Sequence, residues 1–487
     1  MQRLKSRLAI WCRLVLPRIL EALACRLRDG AKISPVLLAG EIARRLGPYL
    51  GRPNRSTSTL RPSPAVLDST EALLKKLSTT EPELARFVGG ALANIPVFPV
   101  PDLPRARAWT RLQSNLAAPC RRLILVPWLR YGDADRVALN ALRAAQAQDG
   151  VENTLLLVTD TASLQAHAWL PEGTRIAVLG EEKERLTRED RVVLLLAMLY
   201  RLRPIAVLNV NSRAGWDALQ RHGPALGALT RLSAYVFCED YNSNGQSVDY
   251  TYHYLRAALP YLAAVYSDHS GFLFGWARDH HLAPEWCYRL RQVPQPPPLI
   301  SGAPPGGMAG GGRVLWVGRI TPQMAPDLLP PVAAALPEMS FEMHGVGEVN
   351  ELRALRRRAP ANLLYRGEFA EFMALRPEGF LALLYTTRFD GLPNTLLEAG
   401  AAGLPIVAAR RGGISELITD ETGWPVDNPE DPAAYARALR AIRADPVEAA
   451  RRALRLREVL CTRHAPAAHD AALRAAPGFL SEEELRC

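Results

Sequence analysis

Asp390 and Glu398 stand eight positions apart in the segment 383–407, LLYTTRFDGLPNTLLEAGAAGLPIV, and this pair is where chemistry is most legible. An apolar run leads into Asp390-Gly391-Leu392. Pro393 suits the first position of a helix because it lacks an amide proton that would go unpaired there, and Gly403 and Pro405 end that helix before a second apolar run, 406–409. The expected unit is strand, loop, helix, strand. In it the backbone of Gly391, Leu392, Pro393 and Asn394, at the positive end of the helix, faces an anion such as a phosphate, while Asp390 and Glu398 accept hydrogen bonds from hydroxyls. A phosphorylated sugar fits such a site.

The elements that must hold this loop are readable along the chain. Apolar runs at 123–127, 154–158, 175–179, 205–210, 234–238 and 262–267 mostly alternate with helix-like segments, which predicts a parallel, doubly wound sheet. The Pro- and Gly-dense stretch 292–312 (QVPQPPPLISGAPPGGMAGGG) then predicts a linker and hinge. Strand and helix alternation resumes at Val314. Four parts follow: a helical, basic N-terminal extension over 1–118, a first Rossmann-like domain over 119–291, a second over 313–450 after the linker, and a helical segment over 451–487.

The motifs resemble those of the retaining, nucleotide-sugar-dependent glycosyltransferases called family 4. The acidic pair matches that family's acidic-x7-acidic signature, with Asp390 where the family usually has Glu. RVLWVGRI at 313–320, HGVG at 344–347, LLYRG at 363–367, Gly412-Gly413-Ile414-Ser415-Glu416, Glu421-Thr422-Gly423 and Asp431-Pro432 fall in the family's order. The resemblance spans roughly residues 120–460. It implies the GT-B architecture, two tandem Rossmann-like domains with a cleft between them and a terminal helix that crosses back onto the first. It also implies transfer of a sugar from a nucleotide-diphosphate donor to a glycan or lipid-linked acceptor, with retention, without a metal and without a cofactor. Glu398 would then hold the ribose hydroxyls, since a carboxylate accepts from two adjacent hydroxyls at once. Asp390 would position the sugar. The plainer readings are a solvent-facing glutamate and an Asp-Gly turn.

Arg319 follows a strand and a turn glycine, Gly318, which aims it at the carboxyl end of the sheet, where open α/β sheets bind ligands. On the resemblance it neutralises the diphosphate leaving group; otherwise it is a surface arginine. Two departures stand out. The family's lysine five positions after that arginine is Met324 here, and Arg388 is the candidate substitute. In the first domain, Tyr131-Gly132-Asp133-Ala134-Asp135-Arg136 resembles a Gly-Gly-Ala-Glu-Arg loop with Gly132 kept and Asp133 in place of the second glycine. A carboxylate there would repel a diphosphate, while Asp135 equally suits the acidic first turn of a helix. Asn209, Asn211, Glu239 and Asp240, at ends of strands facing the cleft, are candidates for acceptor contacts. His222 and His269 read as surface or packing residues.

Composition narrows the classes without choosing among them. The 487 residues, 48% hydrophobic and 22% charged, suit two or three globular cores. Seven scattered cysteines with no CxxC pair indicate neither a disulfide framework nor a zinc site, and a reducing cytoplasm is expected. No apolar run of about 18 residues predicts a membrane span. Neither NAD nor ATP chemistry is supported: 345–350 lacks a third glycine, and 306–312 lacks the Lys-Ser/Thr of a phosphate loop. Of the net charge of +10, residues 1–30 hold seven basic against two acidic residues, with apolar residues at helical spacing around Trp11. Such a helix lies flat on an anionic membrane surface or packs on the protein itself. No nucleic-acid motif accompanies the charge. A degenerate GT-B scaffold that binds a glycan or partner without catalysis is the rival reading.

Overall fold

The computed structural model describes residues 104–113, 118, 120–238, 249–297, 312–369 and 371–482. Of the first 110 residues only 104–110 are described, as the start of helix Pro104–Gln113. The expectations about residues 1–30, most of the linker, Glu239 and Asp240 lie outside the described residues.

Two parallel sheets follow one another. The first holds β1 (Arg122–Val126), β2 (Thr154–Val158), β3 (Arg175–Val178), β4 (Ala206–Val210), β5 (Arg231–Tyr235), β6 (Ala264–Ser267) and β7 (Leu290–Gln292), in the order β3-β2-β1-β4-β5-β6-β7. The second holds β8 (Arg313–Val317), β9 (Ser340–His344), β10 (Leu363–Gly367), β11 (Ala382–Tyr385), β12 (Ile406–Ala409) and β13 (Trp424–Val426), in the order β10-β9-β8-β11-β12-β13. Every pairing is parallel, with β1 in register from Arg122↔Thr154 on one side and Arg122↔Ala206 on the other. The central strands are buried along their whole length, which is why they read as continuous apolar runs rather than as alternation.

Helices α1 (Asp133–Asp149), α2 (Arg188–Leu202) and α3 (Arg213–Leu229) follow β1, β3 and β4. Thr187 caps α2 by accepting from the Asp190 amide, and Ser212 caps α3 by accepting from Gly215 at 2.9 Å. Helix α4 (Ser270–Asp279) follows β6. In the second domain the elements used below are α5 (Val349–Arg358), α6 (Asn394–Ala401), α7 (Pro432–Ala444) and α8 (Pro446–Arg463). Gly400 lets α6 lie against α8: a Cβ there would meet Leu456 and Leu460 at 2.8 Å.

The chain then returns to the first domain through α9 (Pro466–Arg474). Leu473, Phe479 and Leu480 join the core formed by Ile124, Val126 and α1. Buried Arg122 donates to Phe479 O at 2.5 Å and pairs with Asp149 at 2.6 Å, and buried Arg231 donates to Ser481 O at 2.7 Å. These arginines explain one difference from the sequence reading. The fifth strand spans 231–235 rather than 234–238, because Arg231 is buried by its bonds to the returning tail despite its charge. The first domain also extends past 291: β7 closes its sheet, and Val293 bonds Ser267 O at 2.8 Å before the expected linker.

Candidate active site

In both sheets the strand order reverses at the middle, between β1 and β4 and between β8 and β11, and open α/β sheets bind ligands at that switch point. The loops after β8 and β11 carry the predicted donor residues. Thr386, just past β11, accepts from Trp316 Nε1 and donates to Met324 O, both at 2.9 Å. On this base Asp390 is held by its two oxygens: Tyr385 Oη donates to Oδ2 at 2.8 Å, and the Gly391 amide to Oδ1 at 2.9 Å. Gly412 supports the loop from beneath, since at φ +48° a Cβ there would sit 1.9 Å from Asp390 O. Burial, then the Asp133 charge, pushes the Asp390 carboxyl up to about 6, against Tyr385, Arg319 and the Gly391 amide. Pro393 caps α6 from one position before the helix rather than occupying its first turn.

Glu398 is only 8% exposed, so the solvent-facing reading fails. Its Oε1 lies 3.2 Å from Arg136 Nη2 of the first domain. Burial raises its carboxyl to about 7, with Arg136 opposing. Arg319 is exposed after Gly318, donates to Gln323 Oε1 at 2.9 Å, and lowers the carboxyls of both Asp133 and Asp390. Gly318 is fixed by Gly345, whose φ of +150° and approach to Gly318 O, 1.8 Å from an ideal Cβ, admit no side chain. The two glycine turns of the sequence are therefore one contact.

The first departure resolves differently from expectation. Met324 is 5% exposed, with its sulfur 3.8 Å from Tyr385 Oη, so it packs in the core beneath Asp390 and offers the cleft nothing. Arg388 pairs with Asp327 and Glu430, each at 2.9 Å, and donates to Pro322 O. It could reach a diphosphate only by breaking both ion pairs.

On the other wall, Gly132 caps α1 in extended backbone, and Asp133 opens the helix. Asp133 O accepts from Asn394 Nδ2 at 3.1 Å, so the N-terminus of α1 meets the N-terminus of α6. The Asp133 side chain touches solvent, yet the walls of both domains crowd it and raise its carboxyl against Asn394, Arg319 and Arg136. Asp135 is buried in the same turn and is pushed up to about 7 by that burial. Arg136 lies 4.0 Å over the ring of Trp169.

Three contributors escaped the sequence reading. Arg136 stood in a quoted motif without a role. Asp268, 3% exposed at the end of β6, is raised well above the usual carboxylate range by burial and by the Asp390 charge, and accepts from the Leu392 amide. The expected anion-facing amides of 391 and 392 are thus engaged by the carboxylates of Asp390 and Asp268. Glu416 accepts across the cleft from Ser270 Oγ at 2.8 Å, the Gly271 amide at 2.9 Å and Gln292 Nε2 at 3.0 Å, and from Arg463 at 2.7 Å. Its position at the end of a strand was the signal available for Asp268; for Glu416 it was the two glycines before it.

Among the acceptor candidates, Asn209 is withdrawn from the cleft. It is 2% exposed, accepts from the Ser212 amide at 3.0 Å and faces Gly215 of α3. Asn211 ends β4 at φ +57° and stays partly exposed. His222 lies on the surface of α3, and His269 packs against Gly413 while accepting from the Phe272 amide. A groove of about 680 Å³ opens beside the ends of β1, β2 and β3, lined by Arg130, Thr161, Ser163 and 181–183. Among the described residues no group of three or more His, Cys, Asp or Glu could hold a metal.

Two tandem parallel-sheet domains with opposed switch points define the GT-B fold. Residues 311–445 match the family model described as Glycosyl transferases group 1. The O-antigen biosynthesis glycosyltransferase WbnH of Escherichia coli is 33% identical over 125 residues, 25% of this chain and 36% of that protein. A D-inositol 3-phosphate glycosyltransferase of Streptomyces avermitilis is 32% identical over 155 residues, 28% of this chain and 33% of that protein. The chain therefore spans about a third of the length of the curated relatives it matches. Anabaena HepE, solved with UDP and glucose, superposes with a TM-score of 0.57 at 14% identity, covering 72% of this chain and 97% of that one. WaaG, a glycosyltransferase involved in lipopolysaccharide biosynthesis, gives 0.55 at 14%, covering 73% and 100%. At such identity the likeness is one of fold. The family model thus covers the second domain, and the solved neighbours share the two-domain fold.

Proposed function

We propose that the protein transfers a sugar from a nucleotide-diphosphate donor to a glycan or lipid-linked acceptor, with retention and without a metal. The observation that carries this is the convergence of Arg319, Asp390 and Glu398 on the switch-point cleft, opposite the N-terminus of α1. Support for the donor class comes from the neighbour solved with UDP and glucose, and for surface-polysaccharide synthesis from the O-antigen relative.

Each group has a chemical task in this reading. Glu398 accepts from the ribose hydroxyls. Asp390, with its oxygens already oriented by Tyr385 and Gly391, retains lone pairs for sugar hydroxyls. The acceptor hydroxyl attacks the anomeric carbon on the face the diphosphate leaves: the bond from that carbon to the phosphate oxygen breaks, its electron pair stays on the phosphate, and that oxygen takes the acceptor's proton. Arg319 stabilises the charge as it develops. The cytoplasmic face of a membrane is the proposed site of action, with residues 1–30 as the basic contact; deleting them should release the protein from anionic vesicles.

Hydrolysis or transfer from a panel of UDP-, GDP-, ADP- and dTDP-sugars tests the reading. The burial of Met324 and the engagement of Arg388 favour one rival, a non-catalytic GT-B scaffold. Neither turnover nor nucleotide binding across the panel would establish it.

A further inference from the structure

A diphosphate entering this cleft meets an acidic environment. Asp133, Asp268, Asp390 and Glu398 all border it, and the charges of Asp133 and Asp390 are felt by their neighbours. Arg319 opposes them from the second domain, while Arg388 is paired on Asp327 and Glu430. On the opposite wall Arg130 lies exposed over Trp128 beside the neighbouring groove, whereas a second guanidinium is built in rather than draped over the surface. Arg136 projects from the first turn of α1, stacks 4.0 Å over Trp169, and reaches Glu398 across the domains at 3.2 Å with its side chain 18% exposed.

We propose that Arg136 is a ligand of the donor's diphosphate, the second cation of the site, contributed by the first domain. This rests on the donor reading above and names a further residue of the same site. If Glu398 holds the ribose, a guanidinium in contact with Glu398 lies beside the sugar from which the phosphates hang. A carboxylate has about four lone-pair positions, so Glu398 can keep Arg136 on one edge and take hydroxyls on another. The planar fork of Arg136 likewise has donors left for phosphate oxygens, and stacking on Trp169 fixes its plane. The N-terminus of α1 lies near the same wall, since Asp133 O accepts from Asn394 Nδ2, one turn before Glu398. The first domain would thereby sense the phosphates directly: a nucleoside engages Glu398 alone, and a nucleoside diphosphate engages both walls.

The test compares ligands with and without phosphates on the full-length protein, using UDP or GDP, whichever the wild type binds, and the matching nucleoside, by calorimetry and NMR titration. Arg136→Met should weaken the diphosphate roughly 10- to 100-fold, as for a lost charged hydrogen bond, and change the nucleoside by less than about threefold. The dependence of diphosphate affinity on salt should flatten in the same variant. Arg136→Lys should restore most of the affinity, and Trp169→Leu, which removes only the stacking surface, should give a smaller loss confined to the diphosphate. Equal losses for nucleoside and diphosphate would show that Arg136 merely positions Glu398, and unchanged diphosphate affinity in Arg136→Met would also overturn the assignment. If wild-type protein binds no nucleoside diphosphate, the donor reading itself falls and this one with it.

Discussion

The two loops that face each other across the cleft differ in how their charged groups are held. The loop after β11 orients its carboxylate within its own domain: Asp390 is tied to Tyr385 and Gly391, Thr386 to Trp316 and Met324, and Gly412 closes it from below, while the Leu392 amide reaches Asp268 of the first domain. The loop after β1 has no side-chain cap on α1 and exposes Tyr131 and Asp133; it is anchored in its own domain by Leu129 on Ser163 and by Trp169 beneath Tyr131 and Arg136, and it reaches the other domain through Asn394 and Glu398. The difference teaches where rigidity and response reside. The second domain orients Asp390 by bonds inside one loop, while the first contributes Arg136 between Trp169 and Glu398 of the other domain, with the two domains held together by Glu416 on Ser270, Gly271 and Gln292.

The comparison can be broken at its rigid side first. Arg319→Ala should lower turnover by about 10² to 10³, the usual cost of one preorganised group facing developing charge. Unchanged donor turnover would mean that the second domain is not the donor site.

Glu398→Gln separates binding from stability. Nucleotide affinity should fall by about 1–3 kcal/mol. Because the folded carboxyl is raised to about 7, above an unfolded value near 4.3, its contribution to stability is present below the unfolded value and is lost as pH rises through 7. The variant should therefore unfold close to the wild-type temperature near pH 4 and at a temperature a few degrees higher at pH 8. Equal melting temperatures at both values would show that Glu398 is not strained by burial.

At the responsive side, Glu416→Ala removes the clamp. Small-angle scattering should show a larger radius of gyration, and donor affinity should weaken roughly threefold to tenfold, as expected for about 1 kcal/mol of lost closure. No change in either would move the clamp elsewhere. The smallest effect is expected for Arg388→Ala: about 1 kcal/mol of stability from half-exposed ion pairs, with donor affinity intact. A fall in affinity would return Arg388 to the diphosphate site.

The second domain was more legible than the first for a physical reason. Its loop depends on glycines, a proline and short-range bonds, such as Gly391 to Asp390 and Tyr385 five residues upstream, and these leave local patterns. In the first domain Asn209 looked like a cleft residue because strand ends face the cleft, but the side chain turned under α3 at a spot where Gly215 leaves room. Met324 looked like a lost cation because only its spacing from Arg319 was visible.

By itself the sequence determined the alternation of buried strands and helices, the tandem domains, and the loop that carries Asp390 and Glu398, because burial on both faces and backbone geometry act over a few residues. Only the tertiary structure decided which charges share the cleft. Arg136 meets Glu398 across 262 positions of chain, Glu416 reaches Ser270 across 146, and Arg388 is diverted to Asp327 and Glu430. Such pairs form when closure brings distant side chains together, and desolvation there reshapes their charge states in a way that no local spacing records.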